Sequence, residues 1–184
     1  AANPFGDAAI AAMSIVGRIM FFAAFALIGF GQGFQPVCGF NYGAKKYQRV
    51  REAFWFCVKI SSVVLLVLAA AGYLSAETLI TVFRKNDPEV IAIGTRALRF
   101  QCMTLPLNGW IIMNNMLTQT IGKTVRASLL AASRQGLFFI PAILILPMVF
   151  GIGGIEAAQP VADFLSFALA MVLNRKTMKE LKGI

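Results

Sequence analysis

The 184-residue chain is 58% hydrophobic and 14% charged, and its formal net charge is +9. Soluble domains are usually about 45–50% apolar and about 25% charged, so this composition excludes disorder, a coiled coil and most water-soluble folds. The 17 basic residues lie in short clusters between long uncharged stretches. This pattern is typical of a multi-pass protein embedded in a lipid bilayer, and it argues against a nucleic-acid partner.

Uncharged runs predict five transmembrane helices. Each is close to the ~20 residues that a bilayer core of about 30 Å requires, and each is continuously apolar rather than alternating, which favours helices over a barrel. The predicted spans are residues 9–34, 53–74, 98–122, 127–150 and 157–174. The sequence therefore predicts an all-α polytopic membrane protein.

The positions of the basic residues predict how these spans are oriented. Basic clusters at 45–51, 123–134 and 175–182 lie in alternate connections, whereas residues 77–89 carry mixed charge and residues 150–156 carry no basic residue. Basic loops usually face the cytoplasm. We therefore expect a protein of the plasma (inner) membrane with its N-terminus outside and its C-terminus inside. Arg96 and Arg99 do not fit this distribution, because they lie at the end of the third span that is expected to face outside.

Polar side chains inside a membrane are costly, so they are the best indicators of function in the first span. Arg18 lies a turn or two into this span, and Gln32 and Gln35 lie near its inner end beside Pro36. One interpretation is tight helix packing with a break at Pro36; the other is a polar lining for a transport pathway.

The third span is the most polar of the uncharged ones. Gln101, Asn108 and Asn115 recur at helical spacing and share one face, and Asn114 lies beside that stripe. The stripe either forms hydrogen bonds between helices or lines a cavity. Pro106 lies in the same span and predicts a kink.

The fourth span contains two prolines, Pro141 and Pro147, which predict a bend that is either static or a hinge. Arg134 and Gln135 begin its uncharged run at the cytoplasmic side. They are interpreted either as part of an inner gate or as ordinary interface anchors.

Asp163 is the one carboxylate well inside a predicted span. Burial away from water favours proton uptake by a carboxylate, which makes Asp163 a candidate for coupling transport to protons. Alternatively, Asp163 caps the local helix or pairs with an arginine, and Arg18 is the obvious partner of opposite charge.

Enzyme chemistry is not expected. The chain has no histidine, and its three cysteines form no CxxC pair. Catalytic triads, HExxH metal sites and a disulfide framework are therefore excluded, and phosphate-binding glycine loops are missing as well. We expect no metal and no cofactor, with an ion gradient as the energy source.

Two long stretches resemble a known family of transporters. The segment GQGFQPVCGFNYGAKKYQRVREAFWF, residues 31–56, closely resembles the signature after the eighth helix of the multidrug and toxic compound extrusion (MATE) family. The segment SRQGLFFIPAILILPMVFGIGGIEAAQPVADFLS, residues 133–166, is similar to that family's eleventh helix, outer turn and twelfth helix. The opening GDAAIAAMSIVGRI resembles the entry to helix eight, so the resemblance covers essentially the whole chain.

The resemblance implies that the chain is the C-terminal lobe, helices eight to twelve, of a twelve-helix transporter with two lobes. Such transporters export small organic cations in exchange for protons or sodium. The chain begins with Ala rather than Met, and we expect helix seven and the N-terminal lobe to be missing partners, so that the fragment is inactive alone. Sodium-coupled members commonly use an acidic residue in helix ten, yet residues 100–122 contain none. Coupling would then depend on Asp163 or on the missing lobe.

Two alternatives remain beside the antiporter. A lipid-linked saccharide flippase of the same superfamily is supported by Arg18, Arg96 and Arg99, which would suit a basic cavity. A non-transporting membrane subunit is supported by the odd number of predicted spans.

Overall fold

The computed structural model describes residues 6–85 and 87–183. Within these residues the chain forms seven α-helices and one π-helical turn. In chain order they are α1 (Asp7–Gly43), α2 (Tyr47–Leu74), α3 (Ala76–Phe83), α4 (Pro88–Thr120), α5 (Thr124–Ala132), the π turn (Ser133–Leu137), α6 (Phe139–Phe150) and α7 (Ile152–Gly183). The all-α fold predicted from the sequence is confirmed.

Short connections reverse the chain between successive long helices. The connection after α1 includes Lys45 at φ 57°, the connection after α4 includes Gly122 at φ 75°, and α6 and α7 are joined through Gly151 at φ 60°. Glycine adopts this left-handed conformation at little cost, which suits it to ending a helix. Because the helices alternate in direction, residues 44–46, residues 121–123 and the end of α7 lie together, and we call this the basic end of the bundle.

The basic end is tied together by an ion-pair network around one carboxylate. Glu180 of α7 accepts hydrogen bonds from Arg126 of α5, and Lys123 lies 3.3 Å from it. Arg126 also donates to the hydroxyl of Thr177 at 3.0 Å. These contacts hold the start of α5 against the end of α7.

Helix α4 is the centre of the bundle and packs against α1, α2 and α7. Among the described residues, four helical stretches are long and apolar enough to cross a membrane, namely Asp7–Gly43, Tyr47–Leu74, Thr124–Phe150 and Ile152–Leu181. The predicted span 98–122 corresponds to α4, which ends at Thr120 and is not one of these four. Its contacts with three helices provide buried positions for amides, such as those of Asn108 and Asn114.

Aromatic side chains hold α2 against α4 and α7. Phe54 is fully buried, and its ring lies 6.5 Å from that of Phe34 and 6.0 Å from that of Trp110. Trp110 also contacts Trp55 at 5.4 Å and Phe167 at 6.2 Å, measured between ring centroids. Such pairs each contribute about 0.5–1.5 kcal/mol beyond the burial of their area.

The helices are longer than the predicted spans. The first runs over Asp7–Gly43 rather than 9–34, the third over Pro88–Thr120 rather than 98–122, and the last over Ile152–Gly183 rather than 157–174. Charged residues occupy several of these extensions, such as Glu89 and Arg96 at the start of α4 and Arg175 and Lys176 near the end of α7, whereas the end of α1 after residue 34 is uncharged. A short helix, α3, occupies part of the predicted connection 77–89.

The predicted helix break at Pro36 is wrong. Helix α1 continues through Pro36 to Gly43, and Pro106 and Pro147 likewise lie inside continuous helices. Pro141 lies in the first turn of α6, where a proline needs no hydrogen-bond partner for its nitrogen. The irregularity in residues 124–150 is instead the π turn, in which Phe138 N donates to Ser133 O at 3.0 Å. The hinge role of these prolines stays a prediction.

Candidate functional site

A buried polar cluster surrounds Asp163 where α4, α7 and the π turn meet. The Asp163 side chain is only 4% exposed. Its Oδ1 accepts hydrogen bonds from Arg134 Nε at 2.8 Å and Gln159 Nε2 at 3.1 Å. Its Oδ2 accepts from Asn108 Nδ2 at 3.3 Å. We call these four residues the Asp163 cluster.

Local helix geometry places each member of the cluster. Gln159 precedes Asp163 by one turn of α7, so the two side chains lie on the same face. Arg134 is the second residue of the π turn, whose extra residue changes the direction of the side chains around it. Asp163 lies eleven residues after Ile152, which is about 17 Å along the helix axis and therefore deep in the bundle.

The cluster contains one positive and one negative charge at close range. Removing both from water is costly, and a buried pair recovers that cost only when its remaining polar atoms are also hydrogen-bonded. Asn108 Oδ1 is buried and accepts no hydrogen bond from the residues that the structure describes. A cavity of about 20 Å³, lined partly by Gln101, adjoins it and has room for one water molecule. The cluster thus has a spare acceptor oxygen beside the Asp163 carboxylate.

The obvious partner from the sequence, Arg18, does not pair with Asp163. Arg18 is exposed and lines a separate pocket of about 510 Å³ with Phe21, Phe22 and Phe25. Asp163 is paired with Arg134 instead. Asp163 therefore does pair with an arginine, as one interpretation of the sequence held, but the arginine is Arg134 and not Arg18. Arg134 is partly buried, and whether it belongs to an inner gate or anchors the helix at the membrane interface stays a prediction.

The amides predicted on the third span separate into different contacts. Gln35 of α1 donates to Gln119 of α4 at 3.3 Å, and Gln119 donates to Asn115 at 3.1 Å, which makes an amide chain between the two helices. Asn114 is buried and accepts a hydrogen bond from Asn174 of α7. Gln32 and Gln135 are exposed, and neither contacts the Asp163 cluster. Whether any of these residues lines a transport pathway stays a prediction.

Comparisons with known proteins give this arrangement a family. The MatE family model matches residues 1–145 of the chain. The chain belongs to the MatE family. It is 24% identical over 169 residues to the multidrug export protein MepA of Staphylococcus haemolyticus, a match that covers 92% of this chain and 37% of MepA. The resemblance seen in the sequence is therefore confirmed.

Solved structures show the same fold for this MatE chain. The MATE transporter VcmN of Vibrio cholerae in its bent form matches with a TM-score of 0.89 and 23% identity, covering 97% of this chain and 41% of VcmN. A multidrug resistance MATE family transporter in an outward-facing conformation matches with a TM-score of 0.90 and 19% identity, covering 97% and 40%. The chain thus spans about 40% of the length of these relatives, and it is a multi-pass membrane protein.

The sequence interpretation missed much of the polar face of α7 in this MatE chain. Gln159 and Asn174 are both bonded across or along the bundle, and Glu156 is 2% exposed and lies 3.6 Å from Arg96. A signal for them was present, since polar residues lie 7 and 4 positions before Asp163 and 3, 11 and 14 positions after it, spacings that place them on one face of α7. These residues are Glu156, Gln159, Ser166, Asn174 and Thr177.

Proposed function

We propose that the chain is part of a secondary active exporter that moves organic cations out of the cell in exchange for protons or sodium ions. Membership of the MatE family supports the transporter class. The observation that carries the coupling role is the carboxylate of Asp163, deep in a membrane helix bundle and bonded to three side chains. The remainder of the transporter, the lobe implied by the resemblance, would supply the facing wall of the pathway.

The charge balance of the Asp163 cluster suits an exchanger. With Arg134 positive and Asp163 negative, the cluster is neutral. A proton or sodium ion that binds Asp163 competes with Arg134 for the carboxylate and adds one positive charge. Two unit charges 4 Å apart at an effective dielectric constant of 20 interact by about 4 kcal/mol. The coupling ion and a cationic substrate would therefore exclude each other near the cluster, and alternate binding of two cations is the basis of antiport.

The aromatic side chains of α1 are a less suitable place for the substrate. Phe21, Phe22 and Phe25 are exposed, and rings of this kind attract lipophilic cations. Arg18 lines the same pocket and would repel a cation there. The amide chain of Gln35, Gln119 and Asn115 carries no charge and is a better lining for a cation pathway.

Ethidium efflux from cells that express the full-length protein tests the proposal. We expect efflux to stop when the proton and sodium gradients are collapsed. Asp163→Asn keeps the size of the side chain but removes its charge, and we expect at least an order-of-magnitude loss of efflux, as removal of a charged group with a direct role would give. Glu156→Gln is the matched control because it neutralises another buried carboxylate of α7; its efflux should stay within about twofold.

Several outcomes would contradict the proposal. Efflux that persists without either gradient would exclude secondary transport. Equal losses in Asp163→Asn and Glu156→Gln, at equal amounts of protein in the membrane, would show that the Asp163 carboxylate has no special role in coupling.

The flippase alternative receives less support. Arg96 lies 3.6 Å from Glu156, and the guanidinium of Arg99 lies 5.4 Å from the centre of the Tyr73 ring. Both arginines are exposed, but each already has a partner, a carboxylate for Arg96 and an aromatic ring for Arg99, which leaves less positive charge free for an anionic lipid-linked saccharide. Translocation of a lipid-linked saccharide without ethidium efflux would favour the flippase over the cation exporter.

A further inference from the structure

A large groove opens between α2 and α7 at the basic end. Its volume is about 980 Å³, and Trp110 of α4 is part of its lining. The groove lies apart from the Asp163 cluster, with which it shares no lining residue. We call it the α2–α7 groove.

The α2–α7 groove combines positive charge with an apolar wall. Its four basic residues form no ion pair within the described part of the chain, and a single carboxylate, Glu52, faces them. Glu52 already accepts a hydrogen bond from Gln48 at 2.9 Å. The basic residues of the groove are Arg51, Lys59, Arg175 and Lys179. The apolar wall includes Trp55, Phe56 and Met171, all of them exposed.

Two buried donors beside the groove have no acceptor. Arg51 Nε and Trp110 Nε1 are both buried, and neither donates a hydrogen bond to any residue that the structure describes. A buried N–H without an acceptor costs about 1–3 kcal/mol, so such groups usually have a partner. Both residues line the groove, so a small movement of each side chain would bring its N–H to an acceptor bound there.

We propose that the α2–α7 groove binds one anionic glycerophospholipid. The phosphate would lie against Arg51, Arg175 and Lys179. An ester carbonyl of the same lipid would accept from Trp110, and an acyl chain would run along Trp55 toward the middle of the bundle. Basic pockets between membrane helices bind anionic headgroups in this way, and tryptophan is typical of the headgroup level. The net positive charge of the groove disfavours an organic cation, so this is a lipid site and not a second place for the exported substrate.

The proposal can be tested by native mass spectrometry of the full-length protein in detergent. The probes are palmitoyl-oleoyl phosphatidylglycerol and, as the zwitterionic control, phosphatidylcholine with the same chains. We expect one tightly bound phosphatidylglycerol and at least about tenfold weaker phosphatidylcholine. Arg51→Gln with Arg175→Gln should weaken the first phosphatidylglycerol about tenfold, because two cations next to the phosphate are lost.

The matched control removes the same charge outside the groove. Lys45→Gln with Lys46→Gln changes two basic residues of the α1–α2 connection, which do not line the groove. The affinity of this double variant for phosphatidylglycerol should stay within about twofold of that of the parent protein. Equal losses in both double variants would reduce the effect to general surface charge and overturn the proposal. Equal binding of both lipids, or none of either, would also overturn it, the latter because another segment of protein would then fill the groove.

Discussion

The pairing of Arg134 with Asp163 makes the sharpest prediction. Arg134→Met keeps a long side chain but removes the charge, and it leaves the 4%-exposed Asp163 side chain with only Gln159 and Asn108 as partners. Breaking one side of a buried ion pair typically costs 3–5 kcal/mol. Because two hydrogen bonds to Asp163 remain, we expect a loss near the lower limit, about 3 kcal/mol in the free energy of unfolding.

A double-mutant cycle separates the pair from the loss of packing. Arg134→Met with Asp163→Asn removes both charges, so no unpaired charge stays buried, and most of the lost stability should return. Arg49→Met is the matched control, since Arg49 is exposed and should change stability by less than about 0.5 kcal/mol.

Equilibrium unfolding of the full-length protein in mixed micelles measures these differences. If Arg134→Met destabilises no more than Arg49→Met, the buried ion pair does not exist in the folded protein. If the double variant is as unstable as Arg134→Met alone, the loss comes from packing and the electrostatic reasoning is refuted.

Three further predictions use other parts of the bundle. Gly154→Ala should destabilise the α6–α7 hairpin by more than 2 kcal/mol, because a Cβ at this position would overlap the backbone of α6. A Cβ at Gly153 meets open space, so Gly153→Ala should be tolerated, and thermal unfolding compares the two variants. Asn174→Ala should cost about 0.6–1.7 kcal/mol in the mixed-micelle assay through the lost hydrogen bond to Asn114, and a neutral result would contradict this. In intact cells an impermeant thiol reagent should label Gly153→Cys and leave Lys46→Cys unlabelled; the reverse pattern would contradict the orientation expected from the sequence.

Composition and hydrophobic pattern were sufficient to predict the fold class. Uncharged runs identified the apolar part of each long helix, because lipid excludes charge from those stretches. They did not identify the helix ends, since charged turns such as Pro88 to Arg99 continue a helix beyond the apolar stretch. The uncharged runs also did not show that α4 is the central helix. Its stripe of amides is equally consistent with contacts to other helices and with the lining of a cavity.

The partner of Asp163 could not be predicted from the pattern of charges alone. Arg18 and Arg134 are both arginines near apolar stretches, and the choice between them depends on how α7 packs against its neighbours. Arg134 belongs to the π turn, and a regular helical repeat through residues 124–150 does not predict a π turn. The polar repeat along α7 was visible in the sequence, and it would have identified Gln159 and Asn174 as members of a buried face.

The π turn at Ser133–Leu137 also bears on how relatives of this chain are aligned. A π turn contains one residue more than the α-helical turn it replaces. A relative whose helix is regular at this point would therefore be one residue shorter here, and an alignment without a gap would set α6 one position out of register. Each position in α6 would then be compared with a neighbour about 100° away around the helix. A single-residue gap placed inside residues 133–137 restores the correspondence of the faces that pack against α7.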